Sequence, residues 1–247
     1  MPSPRLDRTV LRACARIAAA TTLAFAFALP AAADEYTIVS KVTANRGGGS
    51  TQTLYIGDDK LRSNDGENDT IIDYATGTIT FVEHKKKRYW QTTGEEMRAQ
   101  FAELSAMLEQ NPVLAKMFGQ AAEAEVEKLG SRTVAGHECD DYRVTVGEAY
   151  SFDVCAARAL QPDVDVHAAR RVFAANMGPM AGKMSKLFDE LAKIKGLALA
   201  STMKINVMGA NIAVTTEATE VKVGGLGDDV FALPAGYKAA KSPFAQK

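Results

Sequence analysis

Three histidines and one carboxylate-rich segment are the residues of this chain whose types could bind a metal. The histidines are His84, His137 and His167, and the densest group of potential ligands is the segment HECDD, residues 137–141. Neighbouring residues of a strand point to opposite faces, so this segment cannot converge on one ion. No HxH or CxxC spacing supplies further ligands. We therefore expect neither a metal nor a cofactor.

The sequence also lacks the short motifs of the common hydrolases and nucleotide-binding enzymes. It contains no G-x-S-x-G, no P-loop and no H-E-x-x-H. Its carboxylate pairs are Asp58-Asp59, Asp140-Asp141 and Asp228-Asp229. Each pair is adjacent in a turn or strand, where a solvated role is the default. We expect no catalytic residues and no enzymatic activity.

Two cysteines, Cys139 and Cys155, flank a pattern typical of a β-hairpin. Alternating apolar residues precede and follow Gly147-Glu148, the predicted loop. A loop centred on Gly147 would place the cysteines opposite each other, close enough for a disulfide. The alternatives are two reduced thiols or a slipped register.

The run HKKKR, residues 84–88, raises the question of nucleic-acid or membrane binding. It lies between two predicted strands, where charged residues suit an exposed hairpin turn. A nucleic-acid interface needs a broad basic face, and the exported chain is acidic, as shown below. We expect no nucleic-acid partner and at most a peripheral contact with anionic lipid headgroups.

Methionines and other large apolar residues concentrate in two predicted helical regions. Ordinary core packing explains such a pattern, but flexible Met side chains also suit a cavity for variable apolar ligands. The residues predicted to line this cavity are Met97, Phe101, Leu104, Met117, Phe118, Met180, Met184, Leu187, Leu191 and Met203.

Short strands with turn residues between them make up most of the remaining chain. The predicted strands are 35–44, 51–56, 60–63, 70–74, 78–83, 88–92, 197–207 and 212–223, with the cysteine hairpin between the two helical regions. Residues 230–240 are predicted to dock as a short tail. This pattern predicts an antiparallel meander that ends in a hairpin.

Helical periodicity interrupts the strands twice, at about 95–129 and 163–195. Apolar residues at spacings of four, three and four mark the first region, and Gly130 is its predicted end. The economical packing is one antiparallel sheet with the helices on a single face. We therefore predict an α+β fold, a curved sheet or half-open barrel whose concave face carries the helices as a lid.

The first 33 residues read as a secretory signal peptide. Four arginines precede a short apolar run, and the small-residue site Ala31–Ala33 follows it. Cleavage after Ala33 removes four Arg and one Asp, so the net charge changes from −1 to −4. The remaining 214 of the 247 residues suit a single domain, residues 34–247. We predict a periplasmic location.

Several segments together resemble an uncharacterised family of exported bacterial proteins with a fold like the outer-membrane lipoprotein carrier (LolA-like). The most specific are IIDYATGTITFVEHKKKRYW and VAGHECDDYRV, and matching pieces run through most of residues 35–238. The resemblance implies a half-open antiparallel barrel, closed by helices, around an apolar cavity. Arg62 is the counterpart of an arginine that helps hold the carriers' lid, so it joins the predicted cavity residues.

Two functions follow from this resemblance and from the absence of a catalytic constellation. The first is a periplasmic, non-catalytic binding or carrier protein for a lipid, acyl chain or other apolar ligand. The second is an envelope sensor or protein-interaction module without a bound ligand, whose partner is another envelope protein.

Overall fold

Twelve strands and one long helix account for most of the described backbone. The computed structural model describes residues 35–110, 124–146, 150–162, 187–207 and 210–242, except residues 46, 188 and 228. The helix is α1, Gly94–Gln110. The strands are β1 Tyr36–Ala44, β2 Gly49–Ile56, β3 Lys60–Asn64, β4 Asn68–Asp73, β5 Thr78–Glu83, β6 Arg88–Thr92, β7 Ala124–Val134, β8 His137–Val146, β9 Tyr150–Ala157, β10 Leu197–Val207, β11 Ala210–Val223 and β12 Lys238–Ala239.

All twelve strands belong to one sheet, in the order β12-β6-β5-β4-β3-β2-β1-β11-β10-β9-β8-β7. Each neighbouring pair is antiparallel except β12 and β6, which are parallel. Two meanders, β1 to β6 and β7 to β11, join where β11 pairs with β1. The outermost strands, β12 and β7, do not pair with each other, so the sheet is open. The predicted antiparallel meander is confirmed, and the open sheet agrees with the prediction of a structure that is not fully closed.

One face of the sheet carries an unbroken apolar row, which we call the apolar face. Directly paired residues of neighbouring strands project to the same face. Tyr36 pairs with Ile56, Ile56 with Leu61, Leu61 with Ile72, and Ile72 with Ile79. The row therefore crosses β1 to β5 on a single face.

The apolar face continues across the second meander. Ala44 of β1 projects to the same face as Tyr36, and it pairs with Val214. Val214 pairs with Met203, and Met203 pairs with Phe152. Phe152 in turn pairs with Val144 of β8 and, through it, with Val126 of β7. Apolar side chains thus occupy the same face from β7 to β5.

The main core forms where the two meanders meet. Tyr36, Ile38 and Ile56 of the first meander cluster with Leu199 and Cys155 of the second, and each is less than 5% exposed. Burying a large apolar side chain contributes roughly 2 kcal/mol. This shared core is the principal contact that joins the two halves of the sheet, apart from the β1–β11 ladder.

A disulfide joins Cys139 to Cys155, as predicted, with the Cα atoms 5.3 Å apart. The predicted register was wrong, because Val146 pairs with Tyr150 and Asp141 lies opposite Cys155. Cys139 and Asp141 project to the same face of β8, so the cysteines are diagonal neighbours. Diagonal neighbours remain within reach of a disulfide, which explains why the pairing survives the shift.

The observed helices agree only in part with the helical regions predicted from the sequence. A capping box begins α1: the amide of Thr93 donates to Glu96 and the amide of Glu96 donates to the Thr93 hydroxyl. Residues 124–129 were predicted to be helical but form the start of β7. Their Ala, Glu and Lys content favours a helix, and pairing with β8 along the whole strand overrides that preference. None of the described helices is long and apolar enough to cross a membrane.

Parts of both predicted insertions, residues 111–123 and 163–186, lie outside the described residues. Residues 189–191 are helical, whereas 192–195 are not, so the second helix ends earlier than predicted. Leu187, Leu191 and Ile194 pack against the buried cluster of Ala124, Val144 and Val146. The end of the second insertion therefore covers the apolar face at β7 and β8.

The C-terminal tail docks as predicted, and we call residues 229–240 the strap. The strap ends in β12, which pairs with β6 through Arg88 and Tyr89. Farther back, Phe231 lies against Gly57, where an added Cβ would be 3.0 Å from its ring. The strap thus reaches from the β2–β3 turn to the edge strand β6.

Candidate functional site

The apolar face of β3 to β6 is only half buried, although its side chains are large. Leu61, Ile72, Ile79 and Phe81 all retain partial exposure. Phe81 stacks on Trp90 with ring centroids 5.4 Å apart. Stacked aromatic and aliphatic side chains make a surface suited to an apolar molecule.

The apolar face of the second meander is also accessible in places. Met203 is 44% exposed and Ile212 is 40% exposed, whereas Val144 is fully buried beneath the Leu187 segment. The uncovered part therefore lies on β10 and β11, beside the part that the second insertion covers. Exposed apolar residues grouped on one face are typical of a binding surface.

The predicted cavity residues divide into three groups. Met97, on α1, is buried, and Phe101 on the same helix is half buried. Leu187, Leu191 and Met203 lie on or against the apolar face. The positions of Met117, Phe118, Met180, Met184 and the side chain of Leu104 lie outside the part of the chain that the structure describes.

Arg62, the last predicted cavity residue, lies on the opposite face of the sheet. It follows Leu61 on β3, so the two side chains project to opposite faces. Its guanidinium donates to the carbonyl of Val230, within the strap, and to Asp69. Arg62 therefore holds the strap and does not line the apolar face; we call the side of the sheet that it shares with Asp69 the strap face.

A buried polar group on the strap face, the Asp69 cluster, consists of Arg62, Asn64, Asp69, His84 and Tyr237. The Asp69 side chain is fully buried. It accepts hydrogen bonds from Arg62 at 2.6 Å and from Asn64 at 2.5 Å, and His84 Nε2 lies 3.0 Å away. The other ring nitrogen of His84 lies 3.0 Å from the Tyr237 hydroxyl. These contacts compensate the cost of burying the carboxylate.

The chemistry of this cluster favours a structural role. Asp69, His84 and Tyr237 are aligned like a proton relay, but Arg62 and Asn64 also donate to the carboxylate and hold it in place. Buried Ile71 and Val82 share the strap face with Asp69. The cluster therefore connects the strap to β3, β4 and the β5–β6 turn.

Sequence reasoning missed Asp69, because the predicted strands 60–63 and 70–74 leave it in the turn between them. Asp69 in fact lies in β4 opposite Asn64 and faces Val82 on β5. The available signal was its alternation with Ile71, which places an acidic residue on a buried strand face. His84 was noted in the sequence, but its partner Tyr237 is 153 residues away.

The carboxylates around the disulfide are paired with cations. A hydrogen bond from Lys128, together with the charge of Arg158, holds the pKa of Asp140 below its usual value. Arg132 donates to Asp141 at 3.1 Å. Within the described residues, no group of three or more His, Cys, Asp or Glu side chains is placed to hold a metal ion.

Lys85, Lys86 and Lys87 lie in the β5–β6 turn, as predicted, and Arg88 begins β6. Lys85 contacts Glu67 at 2.5 Å, and both Lys86 and Arg88 contact Glu83. The hydrogen bond from Arg88 lowers the pKa of Glu83. Glu67 and Glu83 thus supply two negative charges against the four positive charges of residues 85–88.

Comparisons with known proteins give a family and several distant structural likenesses. An uncharacterised conserved protein from Thermus thermophilus has a TM-score of 0.46 at 6% identity, over 84% of this chain and 90% of that one. The Pseudomonas aeruginosa MucA/MucB complex has a TM-score of 0.39 at 13% identity, over 83% of this chain and 57% of that one. A LolA superfamily protein from Nitrosomonas europaea has a TM-score of 0.28 at 5% identity, over 82% of this chain and 91% of that one.

The chain spans 31% of the length of another similar structure, PNGF-II. Because these TM-scores are below 0.5, the likenesses support no inference about a ligand or partner. No curated protein matches the chain by sequence. A family model described as a domain of unknown function, DUF4412, matches residues 37–237. This match covers most of the chain and agrees with the predicted resemblance to an uncharacterised family, so the protein belongs to the DUF4412 family.

Proposed function

We propose that this protein is an exported, non-catalytic binding or carrier protein that holds an apolar molecule against the apolar face of its sheet. One observation carries the proposal. The apolar row is continuous from β5 to β7, yet Met203 and Ile212 remain 44% and 40% exposed. An accessible apolar surface next to a core is what an apolar ligand requires.

The two faces of the first meander differ in the way that this function requires. Ile71 and Val82 of the strap face are buried, at 6% and 1% exposure, and the strap is anchored on that face. Leu61 and Ile79 of the apolar face retain partial exposure. The apolar face is therefore the side left accessible for a ligand.

A helical lid completes the proposed mechanism. Leu187, Leu191 and Ile194 contact the apolar face at β7 and β8, and Met97 of α1 is buried. Segments that contact only part of the face could separate from it to admit a ligand, at the cost of those apolar contacts. The flexible methionines of the two insertions would adapt to the ligand's shape.

Export to the periplasm is part of the proposal. The N-terminal 33 residues have the order of a signal peptide, basic residues followed by an apolar run and a small-residue site. The disulfide between Cys139 and Cys155 suits an oxidising compartment.

The test is native mass spectrometry of mature protein purified from periplasm, followed by organic extraction of whatever is bound. We expect a discrete mass excess that extracts as an apolar compound. A Met203→Glu variant should lose it, because the change places a charge on the apolar face at a half-exposed position. If the wild-type protein has the mass of the ligand-free chain, and this mass does not change when lipids are added, the proposal is contradicted.

The alternative function, a protein-interaction module, is favoured by one feature of β7. This edge strand pairs with β8 alone among the described strands, and Leu129 on it is 46% exposed. An edge strand can add a strand from a partner protein. Leu129→Glu is the matched variant: it should leave ligand binding intact under the carrier proposal and abolish partner binding under the alternative.

A further inference from the structure

Strand β6 carries two buried polar atoms that nothing in the described structure satisfies. The indole Nε1 of Trp90 and the hydroxyl of Thr92 are both buried, and neither has a hydrogen-bond partner among the described residues. Thr92 is 6% exposed as a whole residue. Buried polar groups are nearly always hydrogen-bonded, so two unpaired groups on one short strand call for a physical explanation.

Both side chains project onto the apolar face. Trp90 pairs with Phe81 of β5, and Thr92 pairs with Ile79. Ile79 belongs to the apolar row that continues through Ile72 and Leu61. The two unpaired atoms therefore lie at one end of an apolar strip that crosses four strands, a distance of about 14 Å.

An ion pair borders this polar spot. Arg88 pairs with Glu83 on the same face, two residues from Trp90, and Lys86 of the β5–β6 turn shares that carboxylate. Arg62, a nearby cation on β3, projects to the strap face and is already bonded to Asp69. Because Arg88 and Lys86 already bind Glu83, a negatively charged head at this spot would have to compete with that carboxylate for them.

The hydrogen-bonding chemistry narrows the ligand further. An indole N–H only donates, and a threonine hydroxyl can donate or accept. A ligand group that satisfies both atoms must therefore offer an acceptor. Burying an ionised carboxylate beside apolar side chains without a cation is costly, so the acceptor should be uncharged.

We infer that Trp90 and Thr92 bind the uncharged, hydrogen-bond-accepting head of an acyl-chain amphiphile, such as an acyl ester, whose chain lies along Ile79, Ile72 and Leu61. This inference rests on the proposed function, because it names the ligand class of the same apolar face. The acyl chain supplies the apolar contact, and the ester carbonyl accepts from the two unpaired donors.

Trp90 is the only tryptophan of the chain, so its fluorescence reports on this spot alone. The experiment titrates delipidated mature protein with methyl dodecanoate, dodecanoate and dodecane, and follows Trp90 emission together with native mass spectrometry. We expect methyl dodecanoate to shift the emission and to bind about tenfold more tightly than dodecane, the range expected for one satisfied buried donor. Dodecanoate should bind more weakly than the ester.

The matched variants separate the polar contact from the apolar one. Thr92→Val removes the hydroxyl and keeps the shape, so the ester's advantage over dodecane should shrink by several-fold while dodecane affinity stays unchanged. Trp90→Phe, followed by mass spectrometry, should act in the same direction. Thr202→Val is the control, because Thr202 projects to the face opposite Met203 and should change neither ligand.

The outcomes distinguish the inference from the proposed function. Equal binding of ester and dodecane in the wild type would overturn the inference and leave the apolar-binding proposal standing. An unchanged ester preference in Thr92→Val and Trp90→Phe would likewise overturn it. No binding of any of the three compounds would overturn both.

Discussion

At the residue scale, the most consequential side chain is a carboxylate that no sequence motif marked. Asp69 is fully buried, and Arg62, Asn64 and His84 surround it. Removing one member of a buried ion pair leaves the other charge uncompensated, which is more costly than losing an exposed pair. Asp69 should therefore matter more to stability than any of the exposed carboxylates.

We predict that Asp69→Asn lowers the free energy of unfolding by about 3 kcal/mol, because Arg62 keeps its charge in a site that is 15% exposed. The measurement is urea denaturation at neutral pH. Asp59→Asn is the control: Asp59 is 53% exposed and pairs with Lys60, so its loss should be below about 1 kcal/mol. Equal losses in the two variants would show that the Asp69 cluster adds no stability of its own.

At the element scale, the β8–β9 hairpin combines a disulfide with cross-strand ion pairs. Cys139 and Cys155 are both 1% exposed and belong to the main core. Farther along the hairpin, Asp153 of β9 receives a hydrogen bond of 2.7 Å from Arg143 of β8 and lies 3.2 Å from Lys204 of β10. The hairpin is thus secured covalently at one end and electrostatically towards the other.

Reducing the disulfide should lower the free energy of unfolding by about 3 kcal/mol, the amount expected for a loop of this length. Thermal unfolding with and without a reductant measures the effect. The double variant Cys139→Ser/Cys155→Ser should be less stable than the wild type and insensitive to the reductant. If the reductant destabilised both proteins equally, the effect would not come from this disulfide.

The Asp153 ion pairs should make stability depend on pH. The hydrogen bond from Arg143, followed by the contact with Lys204, holds the pKa of Asp153 below the ordinary value of 3.8. A lowered folded-state pKa adds stability that is present above pH 3.8 and is lost as the pH falls through the lower folded value.

The comparison of wild type with Asp153→Asn isolates this contribution. The wild type should be the more stable protein near neutral pH, and the difference should close as the pH falls below 3.8. Urea denaturation over a pH series measures it. Since Asp153 is partly exposed, raising the ionic strength should also narrow the difference; a gap that is constant with pH would contradict the assignment.

At the scale of the whole molecule, the strap connects the C-terminal end of the described chain to one face of the sheet. It is anchored by Arg62 through Val230 and by His84 through Tyr237, and its last strand pairs with the edge of β6. Beneath it, Ile71 and Val82 are buried. The sheet therefore depends on a segment that is remote in sequence from β3 to β6.

A chain that ends at residue 226 should lose more than about 3 kcal/mol of stability, because Asp69 loses its link to the strap and the buried apolar residues of the strap face become exposed. Circular dichroism and urea denaturation would measure the loss. A chain that ends at residue 242 keeps the whole strap and is the matched control. Comparable stability of the two truncated proteins would show that the strap is dispensable.

The meander, the helix α1 and the disulfide could be predicted from local sequence signals. Alternation of apolar residues and turn residues marked β5 and β6 at their observed bounds. Helical periodicity marked α1, whose capping box Thr93–Glu96 lies just where the strand ends. The same reasoning failed at residues 124–129, where pairing with β8 outweighed helix propensity.

The candidate site was harder to predict from the sequence, because it depends on which residues share a face of the sheet. Three residues of the Met- and Leu-rich pattern, Leu187, Leu191 and Met203, lie on or against the apolar face, and their role in holding a ligand stays a prediction. It could not place Arg62, since resemblance gives a position in the chain and not a side of the sheet. Trp90 and Thr92 were not singled out, because an unpaired buried atom has no signature in sequence.

The sequence by itself determined most of the strands, the helix α1, the antiparallel meander and the cysteine pairing, because each depends on periodicity or on residues close in the chain. Only the tertiary structure decided the register of the cysteine hairpin, the apolar face that crosses both meanders, and the strap held by the Asp69 cluster. Those features join residues as far apart as Arg62 and Val230. Contacts at that separation are set by the packing of the whole sheet. Local propensity carries no information about that packing, because it depends only on residues close in the chain.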